Sequence, residues 1–371
     1  MRCLFLAPLK APDHPVPSGE RTMARLFVRL LESLGYQVEL ASRLRSFSPS
    51  PSPDGWKTLR DEADAEIRRL VAAERGPPAC VFTYHVYYKA PDLIGPRLAA
   101  ELGVPYVIAE PSRAPKRAHG RFAEGHALAE AAINAARLLL TPTAVDREIL
   151  DRLRAAHQRI VDVKPFIDLA EWPSVPVQRP ASQDGPVRLV TVAMMRHGDK
   201  LASYRQLGQA LTGLAGDWTL DVIGDGPARA EVEAALTPLG TRMRYRGAVT
   251  DRAELGNMLA RNHLFLWPGV NEAFGAVYLE AQAHGLPCLA GAYGGIADAV
   301  CDGETALLSP PGDIDALRAN LSRLIADEPL RRQMGTAAAR FIAAERTLPI
   351  AAATVEVAFR ASGIALPARA A

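Results

Sequence analysis

The chain has 371 residues, 49% hydrophobic and 23% charged, with a net charge of +2. That length accommodates two domains with separate cores, and that balance excludes a disordered chain and a strong polyanion partner such as nucleic acid. No run approaches the ~20 apolar residues of a membrane span and no signal peptide is evident. The four cysteines, Cys3, Cys80, Cys288 and Cys301, lie far apart without a C-x-x-C pair, which suits a reducing cytoplasm with neither disulfide nor zinc.

The first half alternates apolar strand-like runs with helical periodicity, the pattern of a parallel sheet with helices on its faces. Arg2–Ala7 reads as the first strand, and a proline-rich loop from Pro8 to Ser18 reaches Gly19. Met23, Leu26, Phe27, Leu30, Leu31 and Leu34 then recur at helical spacing until Gly35. Tyr36–Leu40 is the second strand. The Ser/Pro-rich segment 46–55 is expected to be an extended surface loop. A strand over Cys80–Tyr84 ends at His85, where a parallel strand gives out and α/β folds place ligand contacts; a structural histidine is the other reading. Val104–Ala109 is the next strand, followed by Glu110, Pro111 and Ser112. The basic run Arg113, Lys116, Arg117, His119 and Arg121 suits an anionic acceptor or lipid headgroups, or is a solvated loop. Residues 1–180 carry 25 Lys+Arg against 21 Asp+Glu, a mild basic bias. Leu138–Thr141 and Val161–Lys164 read as the last strands of this half, and the proline-rich stretch Glu171 to Pro186 as a hinge.

The second half starts over with a strand over Val187–Ala193, leading to Arg196 and Lys200. Two cations at the carboxyl end of a strand can neutralise a leaving diphosphate without a metal. Thr219–Ile223 is a strand closed by the turn Gly224-Asp225-Gly226-Pro227. The apolar run His263–Trp267 stops at Pro268-Gly269. Glu272 follows in a loop, and a helix from about Gly275 runs to Gly285-Leu286-Pro287. The exposed N–H groups at that helix mouth form an anion site. Glu280 sits about one and a half turns inside, roughly 8 Å along the axis. Carboxylates are acceptor-only groups that suit pairs of hydroxyls, so a diphosphate flanked by hydroxyls on both sides, the layout of a nucleotide sugar, would satisfy all three features. Solvated surface charges are the alternative for both glutamates. Cys288–Ala290 then leads to the glycine loop at Gly291, Gly294 and Gly295.

The stretch N-E-A-F-G-A-V-Y-L-E-A-Q-A-H-G-L-P, residues 271–287, resembles the E-x7-E signature of retaining family 4 glycosyltransferases. The resemblance implies the GT-B fold: two Rossmann-like domains facing a central cleft, parallel sheets with helices on both faces. It places an acceptor-binding domain at 1–172, a linker at 173–186, a nucleotide-sugar-binding domain at 187–345, and a helix within 346–371 crossing back to the first domain. It implies that Glu272 contacts donor-sugar hydroxyls and Glu280 holds the ribose, with the backbone at Phe274 and Gly275 near sugar and phosphate. Arg196 and Lys200 would hold the diphosphate. Gly224, Gly294 and Gly295 would line the nucleotide, and Gly19 would approach the donor phosphates. His85, Arg113, Lys116 and Arg117 are candidates for the acceptor side. Relatives carry a histidine near Glu110; this chain has none there.

The activity implied is metal-independent transfer, with retention, from a nucleotide sugar to a saccharide or lipid-linked acceptor. The resemblance further implies cell-envelope or exopolysaccharide synthesis in the cytoplasm, with peripheral contact at the inner face of the membrane as an option, and no cofactor beyond the co-substrate. A dehydrogenase reading lacks a G-x-G-x-x-G after the first strand. A sugar-nucleotide epimerase and a non-catalytic nucleotide-sugar binder stay as alternatives.

Overall fold

The computed structural model describes residues 1–16, 18–172 and 185–368. The chain divides into two units: residues 1–164 with 348–371, and residues 165–347.

In the first unit, β1 (Arg2–Leu6), β2 (Gln37–Leu40), β3 (Val81–Val86), β4 (Tyr106–Pro111), β5 (Leu138–Thr141) and β6 (Arg159–Asp162) form one sheet in the order β2-β1-β3-β4-β5-β6. Every pairing is parallel. Near-continuous apolar runs are what such strands need, because both faces are covered. The helices are α1 (Gly19–Ser33), α2 (Pro53–Ala72), α3 (Gly95–Leu102), α4 (Ala123–Ala135) and α5 (Ala144–Arg152). Leu4, Leu6, Val81, Ile108 and Leu139 pack on one side with Ile67, Leu98 and Ile133 from α2, α3 and α4. On the other side Phe5 stacks on Phe82 at 5.7 Å, and Phe27 of α1 lies 5.9 Å from Phe82.

The second unit repeats the plan with β7 (Val187–Val192), β8 (Trp218–Ile223), β9 (Met243–Gly247), β10 (Leu264–Leu266), β11 (Cys288–Gly291) and β12 (Ala306–Ser309), in the order β12-β11-β10-β7-β8-β9. Its helices are α6 (Asp199–Leu211), α7 (Arg229–Leu236), α8 (Arg252–Ala260), α9 (Ala276–Ala283), α10 (Ile296–Ala299), α11 (Ile314–Ala326) and α12 (Glu328–Glu345). The last helix, α13 (Leu348–Ala361), returns to the first unit. There Phe359 meets the Tyr36 ring at 6.0 Å, and Tyr36 Oη donates to the Ala365 carbonyl at 2.6 Å.

Several local expectations shift. Segment 46–55 does not stay extended: Ser52 caps α2, its hydroxyl accepting from Gly55 N at 3.1 Å, with a proline in the first turn. Ser-Pro-Asp is a helix-start signal, and Trp56 buried one turn later anchors it. β3 runs past His85 to Val86, and β6 sits two residues before the expected strand. Residues 165–172 group with the second unit. Ile167 N donates to Arg346 O at 2.8 Å, and Trp172 packs edge-on against His284 at 5.1 Å. Most of the expected linker, residues 173–184, lies outside the described residues. Among the described residues no helix is long and apolar enough to cross a membrane.

Candidate functional site

Renumbered from its own first strand, the second sheet has the dinucleotide-binding order, which reverses between β7 and β10. Ligands of open α/β sheets sit at the carboxyl ends of the strands at such a reversal. Arg196 follows β7, and the loop 268–275 follows β10.

Three contacts fasten that loop to α6. Ser203 Oγ accepts from Val270 N at 2.9 Å, Asn271 Nδ2 donates to Asp199 Oδ1 at 3.0 Å, and Lys200 Nζ donates to Glu272 Oε2 at 2.5 Å. Lys200 also stands 5.6 Å from the ring centre of buried Trp267. Asn271 holds a left-handed φ of 52° and Gly269 one of 71°, so the chain turns sharply on either side of Val270.

Gly294 and Gly295 support the same loop from behind. Gly295 N donates to the Glu272 carbonyl at 3.1 Å, and a Cβ on Gly294 would stand 2.4 Å from that oxygen. The Gly295 N–H is therefore engaged in placing Glu272. Gly224 has a comparable packing role: a Cβ there would fall 1.9 Å from the Ala193 carbonyl. Met195 N donates to Asp225 O and Ala228 N to Met195 O, both at 2.9 Å, so the Gly-Asp-Gly-Pro turn clamps the backbone that carries half-buried Arg196.

α9 opens at Gly275, which holds a φ of 73°, and no side chain caps it. Phe274 just before it is buried, pinning the loop. The uncapped mouth leaves backbone N–H groups for an anion. Glu280, further along α9, has a single ion-pair partner among the described residues, Arg252 at 3.9 Å. Arg252 is held closer to Glu171, at 3.1 Å, and lies 4.9 Å from the Trp172 ring centre. Burial pushes the Glu280 carboxyl up to about 7, against the pull of Arg252 and with the charge of Glu171 adding to the rise. The sequence reading singled out neither Arg252 nor the Asp199 and Ser203 anchors, because Arg252 meets Glu280 and the two anchors meet the loop only in three dimensions.

The first unit holds the remaining candidates. Gly19 is the first residue of α1, with an ordinary φ and no atom within 4 Å of a notional Cβ. His85 pairs with Glu20, the next residue of α1, at 2.9 Å. Arg113 is buried, bonded to Glu130 and, at 2.7 Å, to Asn134 Oδ1, so it is withdrawn from the surface basic run. Lys116 is exposed in the short turn Pro115–Arg117, and Arg117 lies over the Tyr88 and Phe122 rings at 5.3 and 5.5 Å.

Residues 191–341 match the family model "Glycosyl transferases group 1". The chain is 28% identical over 286 residues to a 2-deoxystreptamine glucosyltransferase of Streptomyces kanamyceticus, covering 71% of this chain and 72% of that protein. It is 35% identical over 121 residues to an N-acetyl-alpha-D-glucosaminyl L-malate synthase of Bacillus anthracis, covering 32% of this chain and 31% of that protein. Among solved structures it is similar to the sucrose-phosphate synthase of Thermosynechococcus elongatus, with a TM-score of 0.75 at 17% identity over 97% of this chain and 99% of that one. It is also similar to Anabaena HepE in complex with UDP, with a TM-score of 0.71 at 16% identity over 97% of this chain and all of that one. The chain thus has the GT-B fold, and residues 191–341 of its second unit match the model of group 1 glycosyl transferases.

Proposed function

We propose that the protein transfers a sugar, with retention and without a metal, from a nucleoside diphosphate sugar to a saccharide or lipid-linked acceptor, in the manner of family 4. The observation that carries this reading is the Lys200–Glu272 contact beside the uncapped mouth of α9, with Glu280 further along the same helix. One loop-helix unit thus offers a cation, an anion-binding helix end and two carboxylates.

The ammonium of Lys200 has three donors, so it can keep Glu272 while it binds a phosphate oxygen. Glu272 then accepts from hydroxyls of the sugar, and Glu280 from the two hydroxyls of the ribose. Arg196, Lys200 and the helix N–H groups stabilise charge that grows on the diphosphate as the bond from the anomeric carbon to the phosphate oxygen breaks. The diphosphate leaves with the electron pair, the acceptor oxygen bonds to the anomeric carbon on the same face, and the acceptor proton passes to the departing phosphate oxygen. HepE was solved with UDP, which makes UDP the first nucleotide to test here. A role in envelope or exopolysaccharide assembly on the cytoplasmic side fits this chemistry.

Calorimetric titration of UDP, GDP, ADP and NAD into wild type and Glu280→Ala tests the reading. Selective binding of one nucleoside diphosphate, weakened by the substitution, is expected. NAD binding, or no nucleotide binding by folded protein, would overturn it. Product NMR then reads the anomeric configuration, and release of a free epimerised nucleotide sugar would point to an epimerase instead. Turnover is expected to persist in a chelator.

A further inference from the structure

Arg252 is the first residue of α8, whose amino end Asp251 caps by accepting from Glu254 N at 2.7 Å. A helix favours anions at that end and disfavours cations, so the stability of α8 does not account for an arginine there. Two carboxylates do account for it. Arg252 Nη2 stands 3.1 Å from Glu171 Oε2, and Nη1 stands 3.9 Å from Glu280 Oε1.

Close packing within the second unit brings these groups together. A Cβ on Gly256, one turn along α8, would lie 2.8 Å from His284 Nε2 and 3.6 Å from Trp172 Cε3, so α8 approaches both closely enough to need glycine. Trp172 packs edge-on against His284 and carries the Arg252 guanidinium over its ring. His284 Nδ1 donates to the Glu280 carbonyl at 2.8 Å, which ties the same cluster to α9.

The two carboxylate contacts differ in kind. A separation of 3.1 Å is within hydrogen-bond reach, and 3.9 Å is beyond it. Glu280 therefore feels the charge of Arg252 while Arg252 leaves its oxygens open. An arginine bonded to it in a bidentate fork would fill the oxygens that a pair of hydroxyls needs.

We propose that Arg252 is a positioning residue for the donor site: it steadies Glu280 as an anion from a distance that leaves the oxygens open, and Glu171 and Trp172 hold the guanidinium at that distance. This rests on the transferase reading above, in which Glu280 accepts from the ribose. Burial pushes the Glu280 carboxyl up to about 7, Arg252 pulls against that rise and Glu171 adds to it. Among the described residues these two, from α8 and from the turn Leu169–Glu171, are the charged groups that act on Glu280, with His284 following on its own helix. Removing one or the other should therefore move Glu280 in opposite directions, which a purely structural ion pair would not do.

The test is a carbon-13 NMR titration of the glutamate carboxyls in the full chain without nucleotide, with Glu280 assigned from Glu280→Gln. It compares wild type, Arg252→Gln, Arg252→Lys and Glu171→Met, and melting curves check that each folds. Affinity for whichever of UDP, GDP and ADP binds best is read by calorimetry relative to wild type at the same pH, which cancels protonation of the ligand. The Glu280 midpoint is expected about one unit higher in Arg252→Gln, about one unit lower in Glu171→Met, and close to wild type in Arg252→Lys. Arg252→Gln should bind the nucleotide about fivefold more weakly near pH 7 and recover to within about twofold near pH 9. Glu171→Met, although its Glu280 is more fully ionised, should bind about three- to tenfold more weakly near pH 9, because the released guanidinium closes on the Glu280 oxygens. Midpoints that shift the same way or not at all, tighter binding by Glu171→Met near pH 9, or an Arg252→Gln loss equal at every pH would overturn the proposal. Opposite shifts of the carboxyl without binding of any of the three nucleotides would instead strike the transferase reading.

Discussion

Glu280 is a carboxylate that burial pushes up to about 7, so its charge changes within the range where enzymes are assayed. Only the ionised form accepts from both ribose hydroxyls, so nucleotide affinity should climb between pH 6 and pH 8. Glu280→Gln should bind more weakly and lose that dependence, a difference titration calorimetry at both pH values reads. The stability sign is opposite to that of an ordinary salt-bridged carboxylate. The folded state raises this group above its unfolded value, so its contribution is complete below about 4.5 and lost as pH rises through about 7. Glu280→Gln should therefore raise the melting temperature at pH 8, by the equivalent of up to about 3 kcal/mol, and leave it unchanged at pH 4. Lys200 makes a different case. Its substitution by Met keeps the stem but removes the ammonium that binds Glu272 and, in the proposed mechanism, the leaving diphosphate. Removing one such donor costs about 10²–10³ in kcat. A Lys200→Met enzyme within about threefold of wild type would exclude Lys200 from that role.

Loops show where the sequence was legible and where it was not. The inner strands of both sheets stand out as apolar runs because they are buried on both faces, whereas the edge strands β2, β6 and β9 are polar and partly exposed. The α9 mouth at Gly275 was likewise readable from the switch to helical period after Pro268-Gly269. Glycine packing was not. Gly294 and Gly295 lie against the carbonyl of Glu272, a contact between loops that no local pattern encodes. The burial of Arg113 depends on Glu130 and Asn134 of α4 lying opposite, and the left-handed Glu110 depends on its neighbour strand. Such features arise from packing, so a single chain read in one dimension leaves them out. They give a sharp contrast between two glycines. Gly294→Ala combines a φ of 46° with a 2.4 Å clash against backbone, and should cost about 1–3 kcal/mol and displace Glu272. Gly19→Ala meets open space at an ordinary φ and should leave the melting temperature within about a degree. Thermal melts of the two variants compare them directly, and equal melting temperatures would show that the Gly294 loop yields to a methyl group.

At the scale of the whole molecule, sequence order and structural membership part company at α13. This helix comes after every element of the second unit, yet Leu348, Ala351, Ala352, Val355, Ala358 and Phe359 are buried from it in the first. Arg137 bonds the Ser362 carbonyl, and Phe359 meets Tyr36, which follows α1. The first unit is therefore incomplete until α13 has been made, whereas the second closes at residue 347. Removing a fully buried phenyl group costs about 3–5 kcal/mol, part transfer and part cavity. Phe359→Ala should spend that loss in the first unit. Native-state hydrogen exchange separates the two: amides of β1 and β3 should exchange faster in the variant, while those of β7 and β10 keep wild-type protection. A nucleoside diphosphate at 100 times its Kd adds about 2.7 kcal/mol to whatever unit binds it. Its protection should appear in β7, β10 and α9 and leave the Phe359→Ala defect in β1 and β3 uncorrected. Rescue of β1 and β3 by nucleotide would mean that the donor is held by the first unit, and would move the diphosphate site away from Lys200 and the mouth of α9.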